Sequence, residues 1–430
     1  MTSRILETLG LAISECGLDR FVVAFSGGLD SSVLLHGLVS LELPFELRAI
    51  HVNHGLHPDA AEWEAHCGAT CRAWQVPLDV ARLALTPGPS DEQRAREARY
   101  EAFAEHTLVG DCLLLAHHLD DQVETILLRL LRGAGSAGIA GMPRRRPIGQ
   151  GELLRPLLEL PRSELEGYAQ DAGLTWVDDP SNESQRFDRN YLRHRVLPAV
   201  AARWPGYRRV MARSSELMAD TAAIMREIAD ADMRTRLGGE GTLSIGDLQR
   251  LSELRQLNLL HGWLASNRIR TPSRRRLREL LRQCESAEDR TPCIRFGDVE
   301  IRRYRNALHV VRSYTANHEA RLEWCPPEPA RWCGGTLWAE PATGAGLDRA
   351  GITRLVVRTR RGGERVRAAG RPTKPLKKLL QEAHVPPWLR LRLPLLHVGD
   401  ELVAAPGVFV GEGWQAQAEE PGWEIRWRPD

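Results

Sequence analysis

Apolar residues fall in short unbroken runs through the first 180 positions and at helical spacing beyond them. Phe21–Phe25 and Leu47–Val52 read as buried strands, Leu78–Leu83 as a weaker third and Cys112–Ala116 as a firm fourth. Helical stretches lie around them at Ser32–Ser40, Asp59–Trp74, Ser90–His106 and Asp121–Leu131. Strands alternating with helices of this length predict a doubly wound parallel sheet covered on both faces. Ligands of such sheets bind beyond the strand carboxyl ends, so chemistry is expected just after Phe25, Val52 and Ala116. From about Tyr191 the pattern turns helical: Asn190–Val200, then Gly206–Leu237 after Pro205, then shorter amphipathic helices from Thr242 to Arg282. Cys293–Arg312 alternates like a β-hairpin. Trp324–Gly346, rich in Pro, Gly and Ala, reads as a linker. Leu355–Arg360, Leu402–Ala405 and Val408–Val410 then read as strands around one helix, Lys374–Ala383. The expected class is α/β: a doubly wound domain over 1–205, a mainly helical middle domain over 206–323, a linker over 324–350 and a small α+β domain over 351–430.

A length of 430 residues agrees with two or three domains. No apolar stretch reaches the ~20 residues of a membrane span, so no membrane partner and a cytoplasmic location are expected. The eight cysteines are dispersed, with no C-x-x-C pair, which fits a reducing compartment better than a disulfide framework or a zinc finger. Charge is more informative. Of 58 basic side chains only Lys374, Lys377 and Lys378 are lysines, leaving 55 arginines. GC-rich coding would account for the arginines, but three lysines within five positions suggest a segment that needs compact ammonium groups.

The strand Phe21–Phe25 runs into Ser26-Gly27-Gly28-Leu29-Asp30-Ser31-Ser32 and then a helix. Two glycines let the backbone approach a ligand, the serines add hydroxyl donors, and the helix start supplies free N–H groups, together a nest for pyrophosphate. The string is neither G-x-x-x-x-G-K-[ST] nor G-x-G-x-x-G. An aspartate in an anion nest calls for a cation, so Asp30 points to Mg²⁺ bridging to phosphate. A polar turn with an Asp or Ser cap is the plainer alternative. After the second strand stands His51-Val52-Asn53-His54-Gly55, and after the fourth Ala116-His117-His118-Leu119-Asp120-Asp121-Gln122-Val123-Glu124. Helix capping by Asp120 or Asp121, with Glu124 closing a capping box, would explain the carboxylates without excluding a ligand. Arg96 and Arg99 are three apart and can share a helix face.

The loop resembles that of the N-type ATP pyrophosphatases, the PP-loop superfamily, which cleave ATP between the α and β phosphates to adenylate a substrate. Within it the chain is similar to the tRNA(Ile)-lysidine synthetase family. Further strings carry the likeness: Leu154-Arg155-Pro156-Leu157-Leu158, Val177-Asp178-Asp179-Pro180-Ser181-Asn182, Arg189–Arg195, Arg361-Gly362-Gly363-Glu364, Lys377–Ala383 and Val385–Arg390. Thiolating relatives share the loop but normally carry paired C-x-x-C cysteines, absent here. The resemblance implies ligation of free L-lysine to C2 of the wobble cytidine of tRNA(Ile) with a CAU anticodon, through an adenylated cytidine. It implies ATP bound by Ser26, Gly27, Gly28, Leu29, Asp30, Ser31, Ser32, Val52, Asn53 and His54, and Mg²⁺ on Asp30 and Asp121. Asp30, His117, Asp121, Arg96 and Arg99 are the expected catalytic set, and Asp178, Asp179 or Glu124 an acidic recess for lysine. The tRNA is expected on Arg189, Arg193, Arg195, Arg274, Arg275, Arg361, Arg365, Lys374, Lys377, Lys378 and Trp388, though basic runs are more often solvated faces. A homodimer is one assembly the sequence allows. An ATP-sensing RNA-binding protein without catalysis is the rival reading.

Overall fold

In the computed structural model, α1 (Thr2–Cys16) leads into β1 (Arg20–Ala24), α2 (Leu29–Val39), β2 (Glu46–Asn53), α3 (Ala60–Ala73), β3 (Leu78–Arg82) and α4 (Asp91–Glu105). β4 (Asp111–Leu114), α5 (Leu119–Leu131), α6 (Ser136–Ile139), β5 (Arg145–Ile148), β6 (Gly151–Leu154) and α7 (Arg162–Asp171) follow. α8 (Asp188–Tyr191), a π-helical turn Leu192–Val196, α9 (Leu197–Arg203) and the long α10 (Tyr207–Arg236) end this part. The structure describes residues 2–55, 57–83, 91–180, 187–238, 241–269, 272–284, 293–297, 299–312, 319–350, 352 and 354–429, without the side chains of 2, 3 and 91–93. Two units emerge, Met1–Glu227 and Ile228–Asp430.

The first unit's sheet has the order β3-β2-β1-β4-β6-β5, parallel except for β5. β1 is central because Phe21, Val22 and Val23 are all buried, which requires cover on both faces. Phe21, Val23, Cys112 and Leu114 face one layer with Ile5, Leu34, Leu165 and Tyr168; Val22, Ile50 and Leu113 face the other with Phe103. Burying each large side chain contributes roughly 1.5–3 kcal/mol. From β1 the chain runs outward to β2 and β3 on one side and then returns from β3 to place β4 on the other, so a crevice opens at the carboxyl ends of β1 and β4.

In the second unit, β7 (Leu243–Ser244), α11 (Ile245–Gln249), α12 (Glu253–Ser266), α13 (Arg274–Cys284), β8 (Cys293–Phe296), β9 (Val299–Tyr304) and β10 (Ala307–Arg312) share a core centred on Trp263. The alternation at 293–312 is antiparallel β8-β9-β10, joined at its edge by β7. After them come β11 (Arg321–Trp324), β12 (Ala330–Arg331), β13 (Gly335–Thr343), β14 (Leu347–Asp348), β15 (Leu355–Arg358), β16 (Arg365–Val366), β17 (Lys374–Pro375), α14 (Leu376–Glu382), β18 (Leu395–Val398), β19 (Glu401–Ala405), β20 (Phe409–Val410) and β21 (Pro421–Pro429).

The linker expected over 324–350 is replaced by strands. β13 pairs along its whole length with β21, and Leu337 and Leu347 are fully buried beside Trp324, Trp332 and Trp423. Its Pro and Gly residues include turn positions such as Gly334 (φ +68°) and Gly344 (φ +69°), while Leu337 and Ala339 alternate inward between them. The helix expected over Lys374–Ala383 also starts later. Lys374 and Pro375 pair with Val366 and Arg365, and α14 begins at Leu376.

Candidate active site

β1 ends at Ala24 and the chain turns through Gly28 into α2, with Gly28 at the N-cap. Gly27 adopts φ +82°, and a Cβ there would stand 2.9 Å from Cys67 Sγ and 3.3 Å from the His66 ring. Only glycine fits. Beneath the loop His51 Nδ1 lies 2.9 Å from the Phe25 carbonyl and 3.3 Å from Cys67 Sγ. A carbonyl can only accept, so His51 donates from Nδ1. Burial keeps His51 below its ordinary pKa and pushes the Cys67 thiol up to about 12, so both stay uncharged. Within the loop the Ser26 and Ser31 hydroxyls are 3.1 Å apart, and Ser31 donates to the Gly28 carbonyl at 3.0 Å. Leu29 is buried. In the next turn Asp30 Oδ1 and Ser32 Oγ are buried with no hydrogen-bond partner.

At the end of β4, His118 caps α5: its Nδ1 faces the Asp121 N–H at 3.4 Å, and Asp121 Oδ2 accepts from the His118 N–H at 3.1 Å. The capping box is therefore His118 with Asp121. Asp120 and Glu124, expected in that role, point elsewhere, Asp120 to Arg208 Nε at 2.5 Å and Glu124 to two arginines. The His118 Nε2 atom stands 3.6 Å from Asp30 Oδ2 and 3.5 Å from Asp121 Oδ2, so one imidazole gathers the carboxylates of two strand ends. Burial disfavours its charged form, but Asp121, Asp30 and Asp120 outweigh that and raise its pKa. Burial likewise would raise Asp121, yet His118, Arg189 and His117 hold it down at about 2. Asp121 is a carboxylate at any working pH.

Glu124, wholly buried, accepts from Arg189 Nε at 2.6 Å and from Arg193 at 2.7 and 3.1 Å; Arg189 also reaches Asp121 Oδ1 at 2.8 Å. Arg193 lies in the π-helical turn, a rare geometry that often marks functional positions. Arg189 and Arg193 were expected on a tRNA-facing surface; they are instead turned inward onto Asp121 and Glu124, because buried carboxylates demand counter-charge. Arg195 alone of the three is exposed.

Arg96 and Arg99 contact different groups. Arg96 lies over the Tyr100 ring at 5.3 Å, whereas Arg99 donates from Nε to His54 Nε2 at 3.1 Å, at the end of β2. Burial and then Arg99 lower the His54 pKa to about 4. Val52 and Asn53 stand beside it, with Asn53 donating to Glu64 at 2.9 Å. Tyr100 is flanked by Arg146 at 5.1 Å; burial would raise its phenol, but Arg96, Arg155 and Arg146 pull it down. Arg155, almost fully buried, contacts His117 Nδ1 at 3.2 Å. Arg155, His118, His51 and Cys67 are site residues that spacing did not single out. A lone arginine among buried Leu153, Leu154, Leu157 and Leu158 was the available signal for Arg155.

Of the lysine-recess candidates, Asp178 accepts from Trp176 at 3.1 Å and Glu124 is arginine-bound. Ser90, Ser181, Asn182 and Arg270 lie outside the described residues. In the second unit, Arg274, Arg275, Arg361, Arg365, Lys377 and Lys378 are exposed, while Lys374 is bound to Glu382 at 2.8 Å. The three lysines therefore do not form one free helical face. Trp388 is half-buried, with Tyr304 at 5.9 Å, His309 at 5.2 Å and Arg302 over its ring.

Family models match three segments: a PP-loop domain over 1–200, a TilS substrate binding domain over 243–309 and a TilS substrate C-terminal domain over 355–427. The tRNA(Ile)-lysidine synthase of Coxiella burnetii is 39% identical over 96% of this chain and 94% of its own length. The chain belongs to the tRNA(Ile)-lysidine synthase family. The family's Salmonella paratyphi B member is 41% identical over 96% of this chain and 98% of its own length. Among solved structures, the U34-tRNA thiolase NcsA from Methanococcus maripaludis is 18% identical with a TM-score of 0.42, covering 50% of this chain and 79% of its own, too slight a likeness to add to the assignment. Among the described residues no helix is long and apolar enough to cross a membrane.

Proposed function

We propose that this protein ligates free L-lysine to C2 of the wobble cytidine of tRNA(Ile) bearing a CAU anticodon, with ATP consumed to AMP and pyrophosphate. Family membership over nearly the whole chain, joined to the loop after β1, carries the reading. ATP lies along the Ser26–Ser32 loop, with Val52, Asn53 and His54 at its other side. The cytidine O2 attacks the α-phosphorus as the bond to the bridging α–β oxygen breaks and pyrophosphate leaves. The neutral ε-amine of lysine then attacks C2, AMP departs with the O2 oxygen, and the amine gives up its proton.

The chain's residues fit a divalent cation: Asp30 Oδ1 is buried and unpartnered, and Asp121 shares the His118 donor with Asp30. No cluster of three His, Cys, Asp or Glu ligands occurs among the described residues, so phosphate and water would complete the shell, as is usual for Mg²⁺. When bound, Mg²⁺ neutralises triphosphate charge. Arg96 and Arg99 add fixed positive charge near the strand ends. Lysine is held by Asp178 or Asp179, since Glu124 is buried beneath Arg189 and Arg193, and tRNA by exposed arginines and lysines of the second unit.

The test is AMP formation from ATP with tRNA(Ile) and each amino acid, followed by mass analysis of the digested tRNA. Cytidine heavier by lysine less water is expected, and Asp30→Asn should abolish it with the fold intact. Thiolated cytidine, or ATP binding without turnover, would refute the proposal.

A further inference from the structure

Arg155 is 3% exposed, in the run of buried leucines that leaves β6. Two of its guanidinium nitrogens have fixed acceptors. Nη1 donates to the Pro143 carbonyl at 2.6 Å, and Nε donates to His117 Nδ1 at 3.2 Å. Arginine offers donors only and does not lose its proton in proteins. A guanidinium N–H aimed at Nδ1 therefore obliges that nitrogen to accept, and the ring's single proton must sit on Nε2. Nε2 lies on the far edge of a half-buried ring.

We infer that Arg155 is a positioning residue that locks His117 in the Nε2–H tautomer, making it a fixed hydrogen-bond donor rather than a general base. Burial holds the His117 pKa down to about 3, with Arg155, Arg189 and Arg96 assisting against Asp121, so the ring stays neutral. The inference rests on the adenylation reading. As O2 bonds to the α-phosphorus and the α–β bridge breaks, charge builds on the non-bridging oxygens, and a neutral N–H can stabilise it with no proton changing hands. The same device stands at the end of β2. There Arg99 Nε occupies His54 Nε2 at 3.1 Å, and His54 Nδ1 is buried without a partner.

The test uses the full chain labelled with ¹⁵N-histidine, the His117 signals being identified by their loss in His117→Gln. An unprotonated Nδ1 and a protonated Nε2 are expected in the wild type. Arg155→Met should release the ring to a mixture of tautomers and lower kcat for tRNA-dependent pyrophosphate release on the order of 10- to 100-fold. KM for ATP should move far less, since the interaction acts in the transition state. Arg155→Gln, whose amide N–H can still donate to Nδ1, should keep the tautomer and recover most of kcat. A wild-type ring protonated on Nδ1 overturns the inference without any variant, which matters if Arg155→Met fails to fold. Equal losses in Arg155→Met and Arg155→Gln with the tautomer unchanged overturn it too. A wild type that releases no pyrophosphate defeats the adenylation reading instead, while the tautomer is still read from the spectrum.

Discussion

Replacing Glu124 by glutamine removes the anion that two inward-facing arginines share. The carboxylate accepts at 2.6, 2.7 and 3.1 Å from Arg189 and Arg193, side chains 26% and 25% exposed. Charge-assisted bonds contribute about 1.5–3 kcal/mol each, but desolvating three ions offsets most of that. The net cost lies in what the substitution leaves behind. Among the described residues the two guanidiniums then keep Asp121, which reaches Arg189 at 2.8 Å and Arg193 at 3.6 Å, with Asp30 acting on Arg193 from farther off. Removing one partner of a buried pair costs roughly 3–5 kcal/mol, and the remaining anion puts Glu124→Gln at the lower end, about 3 kcal/mol. Urea titration read by amide exchange in α5 peptides follows the first unit by itself. Combining Glu124→Leu with Arg189→Met and Arg193→Met should restore stability to within about 1 kcal/mol, since well-packed apolar groups can replace a buried ion cluster. A loss below about 1 kcal/mol for Glu124→Gln would refute the view that this cluster ties α8 and the π-helical turn to α5.

Lys377→Ala with Lys378→Ala should weaken tRNA binding and reduce the salt slope by about one unit per phosphate contact, whereas Lys374→Ala should add nothing because Glu382 already holds it. Filter-binding titrations across salt concentrations decide this, and an unchanged slope in the double variant would sink it. His36, His51, His54 and His117 have folded pKa values lowered by burial and together outweigh His118, whose value its carboxylates raise, so the fold with neutral rings is favoured above pH 6.5. That stability is lost as pH falls from 6.5 towards the folded values, about 4 for His54. Calorimetry between pH 7.5 and 5 should show the first unit's melting temperature falling; a flat profile contradicts it. Exposed Cys325 should be alkylated readily in the native protein, while buried Cys67 and Cys71, pushed up to about 12 and about 11, should resist until unfolding, as peptide mass analysis would show.

Local sequence carried much of this protein. The four apolar runs became β1 to β4, and the glycine pair and serines after Phe25 became a loop at the central strand's carboxyl end. Periodicity and backbone chemistry are properties of neighbours along the chain, so they can be read from it. Contacts between distant segments cannot. Composition made 324–350 look like a linker, yet β13 is a core strand because it pairs with β21, whose residues lie 78 (Thr343 to Pro421) to 94 (Gly335 to Pro429) positions further along the chain. Arginine-rich Arg189–Arg195 read as an outward face, but two of its arginines turn in, because α5 brings Asp121 and Glu124 beneath them. His118 joining Asp30 to Asp121, and Arg155 meeting His117, likewise exist only once β1, β4 and β6 lie side by side. Spacing tells which residues share a strand end or helix face; burial decides which charges must find one another, because an ion removed from water is stable only beside its counter-charge.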